Sequence, residues 1–235
     1  MSQIDDLFDR MDAWRHLPSY QLERRADLFF SLYLAEAIEA KYGFPVTKRI
    51  LPEFPVRIGA IQPESDSNQS FKIDYLVLSH GGDTAVLVEL KTEGRSRRDE
   101  QDRYLQAAQA AGLPRLVEGV VDIFRATNAK HKYFYLLEYL ESMGLIRMPA
   151  QLRDIMSSRD LRGATATSHH IQITAKAART LVLYLQPNGS GPDILSFEEL
   201  CAVVQKHDDP ISRRFAQSLA EWASISAGEM PFRSP

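Results

Sequence analysis

The sequence is poor in several things, and each shortage excludes something. Only one cysteine, Cys201, occurs in 235 residues, so no disulfide can form within the chain and a reducing compartment is expected. No stretch approaches the roughly 18 consecutive apolar residues that a membrane-spanning helix requires. The start, MSQIDDLFDRMDAW, is acidic and has no long apolar run, so it does not read as a secretory signal. These features predict a soluble cytoplasmic protein with no membrane partner. Excess positive charge is also missing: the formal net charge is -3 and the pI is about 6.1. Coating nucleic acid through bulk electrostatics is therefore excluded, whereas a local basic cleft is not. There is no glycine-rich phosphate loop and no placeable Ser-His-Asp signature. His169 and His170 are adjacent, a poor spacing for sharing a metal, and read as ordinary strand residues.

Hydrophobic residues make up 44% of the chain, enough to bury a substantial core without covalent staples. Apolar spacing at Leu22, Ala26, Phe29, Phe30, Tyr33 and Ala37 predicts a helix over Ser19–Tyr42, capped by Ser19 and stopped by Gly43 and Pro45. VTKRILPEFPVRIGAI reads as extended, and Pro52 and Pro55 suit an edge strand. FKIDYLVLSH and TAVLVELKT are strong strand signals separated by GGD. Ser96 can cap a helix over RRDEQDRYLQAAQAAG, and a further helical stretch covers Leu116 to Met143 with a break near Thr127–Asn128. HHIQITA and RTLVLYLQP read as strands, and SFEELCAVVQKH and PISRRFAQSLAEWASI as closing helices. This order predicts an α/β fold with a mixed central sheet flanked by helices.

The two central strands carry charge in an apolar setting. Centring the turn on Gly81–Gly82 makes opposed residue numbers sum to 163, whether the loop has two residues or four. Asp74 then faces Glu89, and Lys72 faces Lys91. All four share one face because strand side chains alternate. Cross-strand neighbours lie about 4.5–5.5 Å apart at Cβ, so two carboxylates there repel unless one is protonated or a cation sits between them. Mg²⁺ is content with one or two carboxylates and several waters. Two oxygen ligands beside an ammonium suit phosphodiester hydrolysis, in which a metal acidifies water and a lysine steadies developing charge. The competing reading is a solvated ion-pair ladder worth about 0.2–1 kcal/mol per pair.

Asp74, fourteen intervening residues and then Glu89-Leu90-Lys91 resembles the PD-(D/E)XK nuclease superfamily, the restriction-endonuclease-like fold. Its usual core is helix, three-strand meander, helix, strand, helix. The match covers about Ser19 to Ala111, with RTLVLYLQP as the later strand. The resemblance implies a single domain over 1–235, with a core at 19–111 and 179–187, a helical insert at 115–160 and closing helices at 196–226. It implies a metal-dependent nuclease acting on DNA, less readily RNA, with Mg²⁺ or Mn²⁺ on Asp74, Glu89 and the Leu90 carbonyl. Lys91 becomes the catalytic lysine, and Glu36 is preferred over Glu39 as a first-helix metal ligand. Ile73, not proline, precedes Asp74. Gln101 and Tyr104 are three apart, where the lambda-exonuclease-like branch has four.

Arg95, Arg97 and Arg98 follow the site at a predicted helix start, where guanidinium and backbone N–H groups bind phosphate; Gln101 joins this nucleic-acid contact. Glu93, Asp99 and Glu100 offset that charge in the alternative reading of a solvated loop. KHKYFYLLEYL interleaves cations and aromatics, as base-stacking surfaces do, and reads more readily as an amphipathic helix. Cys201, between apolar neighbours, reads as a structural thiol. A non-catalytic binding or assembly module on the same fold is the second reading. A homodimer and a separate partner protein both stay open.

Overall fold

Apolar and β-branched stretches between turn formers become the long strands, and caps and glycines delimit the helices. The computed structural model describes residues 2–62, 64–65, 67–92 and 99–226. The chain begins with α1 (Gln3–Trp14), α2 (Leu22–Tyr42), β1 (Leu51–Arg57), the short α3 (Ile58–Ile61), β2 (Ser70–Leu78) and β3 (Thr84–Leu90). It continues with α4 (Asp99–Ala126), α5 (Lys130–Ser142), β4 (Ile146–Arg147), α6 (Gln151–Ser157), α7 (Leu161–Ser168) and β5 (Gln172–Ile173). It closes with β6 (Arg179–Gln186), β7 (Ile194–Ser196), α8 (Phe197–Val204) and α9 (Pro210–Ser226).

A five-stranded mixed sheet in the order β1-β2-β3-β6-β7, flanked by helices, bears out the α/β reading. β1 pairs antiparallel with β2, Leu51 facing Leu76 and Val56 facing Phe71. The Arg179 N–H donates to the Asp83 carbonyl (3.1 Å), and the Lys91 N–H donates to the Leu185 carbonyl (2.8 Å). Residue numbers climb together along β3 and β6, as in a parallel pair. β7 adds parallel to β6, Tyr184 facing Ile194. No helix among the described residues is long and apolar enough to cross a membrane.

The chain divides into two compact units. The first draws its described residues from Met1–Ile50, Val88–Asp99 and Leu183–Pro235. Its core is aromatic: Phe8, Phe30, Phe197, Phe215 and Trp222 are fully buried and meet ring to ring. Asp12 on α1 ties that helix to α9, accepting from Trp222 Nε1 (2.7 Å), Arg214 Nη2 (2.8 Å) and Ser218 Oγ (3.0 Å). α1 starts with a capping box, Ser2 with Asp5, and α8 with another, Ser196 with Glu199. Ser19 is not the cap of α2: its φ of 64° is left-handed, and the helix starts at Leu22 behind Gln21 with no side-chain cap bond. Gly43 ends α2 in the left-handed conformation glycine tolerates best. Cys201 is half-buried, and its thiol donates to the Ala216 carbonyl at 3.6 Å.

The second unit draws on Leu51–Leu87 and Glu100–Val182. α4 breaks at Gly112 (φ 76°, ψ 155°), two residues before Pro114. Farther along, Gly119 lets α4 lie close on β1 and α3, since a Cβ there would come within 3.0 Å of Ala60 and 3.2 Å of Arg57 side-chain atoms. The expected break after α4 is present. There Lys130 is buried, its ammonium donating to the carbonyls of Phe124 (2.8 Å), Arg125 (3.1 Å) and Thr127 (3.2 Å), three of the acceptors a helix end leaves open. Desolvation lowers its pKa. Leu137 and Leu140 make α5 amphipathic, while Tyr135 faces out. Two expectations change: His169 and His170 end α7 in an exposed turn, β5 being only Gln172–Ile173, and IGAI turns into α3 instead of extending β1.

Candidate active site

Glu89 and Lys91 stand two residues apart at the end of β3, so alternation turns both to the same side. Glu89 is 3% exposed and Lys91 9%. The Lys91 ammonium donates to Glu89 Oε1 at 2.8 Å. A solvated ladder does not describe this pair. Its charges are withdrawn from water and bonded to each other. The next residue is held from the helical side: Glu23, in the first turn of α2, accepts the Thr92 N–H at 3.2 Å, and Arg15 Nη2 reaches the Thr92 carbonyl at 3.5 Å. α2 thus places a carboxylate at the exit of the Glu89-Leu90-Lys91 segment.

Asp74 lies on β2 in the second unit. Burial climbs along its face, from exposed Lys72 through half-buried Asp74 to Leu76 and Leu78 at 0% and 4% exposure. The acid therefore sits where an apolar face gives way to solvent. β1 is irregular at the same level. Its pairs with β2 run Pro52 with Tyr75 and Phe54 with Ile73, skipping Glu53, whose φ of 52° is left-handed. A non-glycine residue held there carries local strain. Glu53 instead ion-pairs with Lys72, in an exposed contact that fits the ladder reading. At the hairpin tip the Ser79 N–H donates to the Thr84 carbonyl at 2.9 Å and Gly82 N–H to the Ser79 carbonyl at 2.9 Å. The loop is His80–Asp83, and 79 paired with 84 keeps the predicted sum of 163.

Leu90 is buried. Glu36 bonds His207 Nε2 at 2.8 Å and lies 3.7 Å from Lys206 Nζ. Thirteen residues separate it from Glu23, about 20 Å along a helix, so α2 brings Glu23, not Glu36, to the end of β3. Glu39 accepts the Val46 N–H at 2.9 Å and closes the loop after α2. Gln101 is half-buried near the start of α4. Tyr104 stacks on Phe71 (centroids 5.2 Å, 19° between planes); Phe71 alternates to the face of β2 away from Asp74. Arg95, Arg97, Arg98 and the Ser96 cap lie outside the described residues. Sequence reasoning missed Glu23, Arg15 and Glu53. Nothing in the spacing of Glu23 distinguishes it from any acid in a first helical turn.

As metal donors, Asp74, Glu89 and the Leu90 carbonyl offer hard oxygens, the type Mg²⁺ and Mn²⁺ take. Among the described residues no group of three or more His, Cys, Asp or Glu side chains is placed to hold an ion. A site of two carboxylates completed by water is the habit of Mg²⁺, and the residues fit such an ion in kind. Comparison with known proteins finds no matching family model, no matching curated protein and no matching solved structure, so the chemistry of these residues has to carry the reading.

Proposed function

We propose that this chain is a metal-dependent nuclease of the restriction-endonuclease-like kind, hydrolysing phosphodiester bonds, with DNA the first substrate to test. The buried Glu89–Lys91 pair carries the reading. Burying an ammonium and a carboxylate brings little net stability compared with apolar residues of like size, so a chemical use for them explains their presence better than packing does. Two features support it. The element order α2, β1-β2-β3, α4, β6, α8 follows the family's core. The pairing of Ser79 with Thr84 keeps the sum of 163 on which the sequence-based expectation for Asp74 and Glu89 rests.

In this reading Asp74, Glu89 and the Leu90 carbonyl would hold Mg²⁺ or Mn²⁺. The ion, when bound, acidifies a water and polarises a phosphoryl oxygen. Lys91 supplies a compact cation with three donors, suited to orienting the attacking water or offsetting charge that grows on the phosphoryl oxygens. Apolar surroundings strengthen both roles. Glu23 and Arg15 position the strand end by fixing both polar groups of the Thr92 backbone.

The test incubates the protein with linear, circular and single-stranded DNA, and with RNA, in Mg²⁺ or Mn²⁺, beside Lys91→Ala and Asp74→Asn. Cleavage by the parent, reduced about 100-fold or more in both variants with their circular dichroism unchanged, is the expected result. Metal binding without cleavage assigns the chain to the non-catalytic module instead. No metal binding, unchanged by Asp74→Asn, ends the proposal.

A further inference from the structure

A second concave site lies within the second unit, at the junction of α4, α5 and α7. It is a cleft of about 440 Å³ whose walls include Arg125, Thr127, Lys130, Leu161, Arg162 and Thr165. Its size falls in the range of small-ligand sites, roughly 300–1,000 Å³. Three lining side chains are cationic and none is acidic. Arg125 is fixed in place, Nη1 donating to Asp122 Oδ1 at 2.9 Å and Nη2 to the Ser168 carbonyl at 3.1 Å. Asp122 also faces Arg57, 3.9 Å away, so this one acid is shared between two arginines. Lys130 is compensated by main-chain carbonyls and the Phe124 ring face (5.1 Å), with no carboxylate partner among the described residues. Arg162 is exposed in the first turn of α7, also without a carboxylate partner among the described residues. Asp160, which caps α7 through the Gly163 N–H at 2.9 Å, is not part of the lining.

Positive charge therefore exceeds negative charge around a concavity that also presents the Thr127 hydroxyl, while that of Thr165 donates to the Leu161 carbonyl at 3.0 Å. Leu161, 39% exposed, supplies an apolar wall. A ligand matching this lining has an anionic head that accepts bidentate arginine bonds and a less polar body. We propose that the cleft binds the phosphate of a nucleotide-sized phosphate ester. Arg125 and Arg162 hold the phosphate oxygens, the Thr127 hydroxyl adds a bond, and Leu161 lies against the organic part. This site is independent of the nuclease reading, since none of its residues belongs to the Asp74, Glu89 and Lys91 set.

The phosphate could come from a free nucleotide or from a nucleic-acid strand, and the test separates them. Full-length ¹⁵N-labelled protein without divalent metal is titrated with inorganic phosphate, a nucleoside monophosphate and a short single-stranded oligonucleotide. Amide signals of Thr127, Arg162 and Thr165 report the cleft. Saturable shifts there with the nucleoside monophosphate are expected, weakened about tenfold or more by Arg162→Glu and restored in part by Arg162→Lys. A tighter response to the oligonucleotide at the same amides identifies a strand phosphate as the source. Arg162 is exposed, so its variants leave folding intact. Lys91→Ala leaves these shifts unchanged, even if the nuclease reading fails. The proposal is overturned if no ligand moves these signals at millimolar concentration, or if Arg162→Glu does not weaken the response.

Discussion

Two lysine–glutamate pairs in this chain have the same chemistry and opposite surroundings. Lys91 and Glu89 have side chains only 11% and 4% exposed; Lys72 and Glu53 are 62% and 51% exposed. For the outer pair water competes for both charges and salt screens them, so little stability depends on it. For the inner pair each charge is withdrawn from water and bonded to the other, and removing one leaves its buried partner without that opposite charge. The contrast separates what the sequence pattern KxD…ExK leaves ambiguous: Lys72 belongs to a solvated contact, and Glu89 with Lys91 to an ion pair withdrawn from water.

The strongest challenge to the comparison is removal of one inner charge. Lys91→Met or Glu89→Leu is expected to cost about 3–5 kcal/mol in urea unfolding. The double variant Glu89→Leu/Lys91→Met should regain most of that loss while any cleavage stays abolished. A double variant as unstable as the singles would mean the pair is a structural requirement. Next in size is Asp12, a withdrawn acid with three neutral or cationic donors. Asp12→Ala removes the oxygens that accept from Trp222 Nε1, Arg214 Nη2 and Ser218 Oγ, while Arg214 keeps its ion pair with Asp9, and should cost about 2–3 kcal/mol.

A smaller effect comes from Tyr42, whose hydroxyl donates to the Pro192 carbonyl at 3.0 Å. Burial, then the nearby Asp193 carboxylate, push its pKa up to about 12. Because the folded value exceeds the ordinary one of about 10, its contribution is whole below pH about 10 and lost as pH rises towards 12. Burial also raises the Tyr33 pKa, so ultraviolet titration should show a late phenol component that shrinks in Tyr42→Phe, with about 1 kcal/mol lost at neutral pH. Smallest is Lys72→Ala, expected to change stability by less than about 1 kcal/mol and by nothing measurable in 1 M salt. A larger cost at Lys72 would erase the distinction between the pairs.

What could be read in advance followed from local rules. Alternation and a Gly-Gly turn gave β2, β3 and the hairpin sum because both are set within a few residues. Pro52 and Pro55 marked an edge strand for the same reason, a missing N–H donor. The failures are tertiary or conflict with local signals. Ser19 looks like a cap, but its left-handed backbone belongs to a turn that starts α2 later. The Ser2–Asp5 capping box was present in the sequence and its helix was overlooked. β7 has three residues, too few for a periodic signal. In the candidate site, Glu89 and Lys91 were legible from spacing, whereas Glu23 enters through a contact spanning 69 residues that no pattern encodes. Glu36 was favoured for following the apolar stripe, but that stripe faces α8 and α9, where His207 takes its carboxylate.

The kink at Glu53 bears on the chain's life among other copies of itself. A sheet margin invites a foreign strand when its donors and acceptors form an even row. β1 interrupts that row between Pro52 and Pro55, where one of the two imino nitrogens faces each edge and the backbone turns left-handed at Glu53. A strand approaching this stretch meets a gap in the row of donors, which guards the margin there against growth into aggregates.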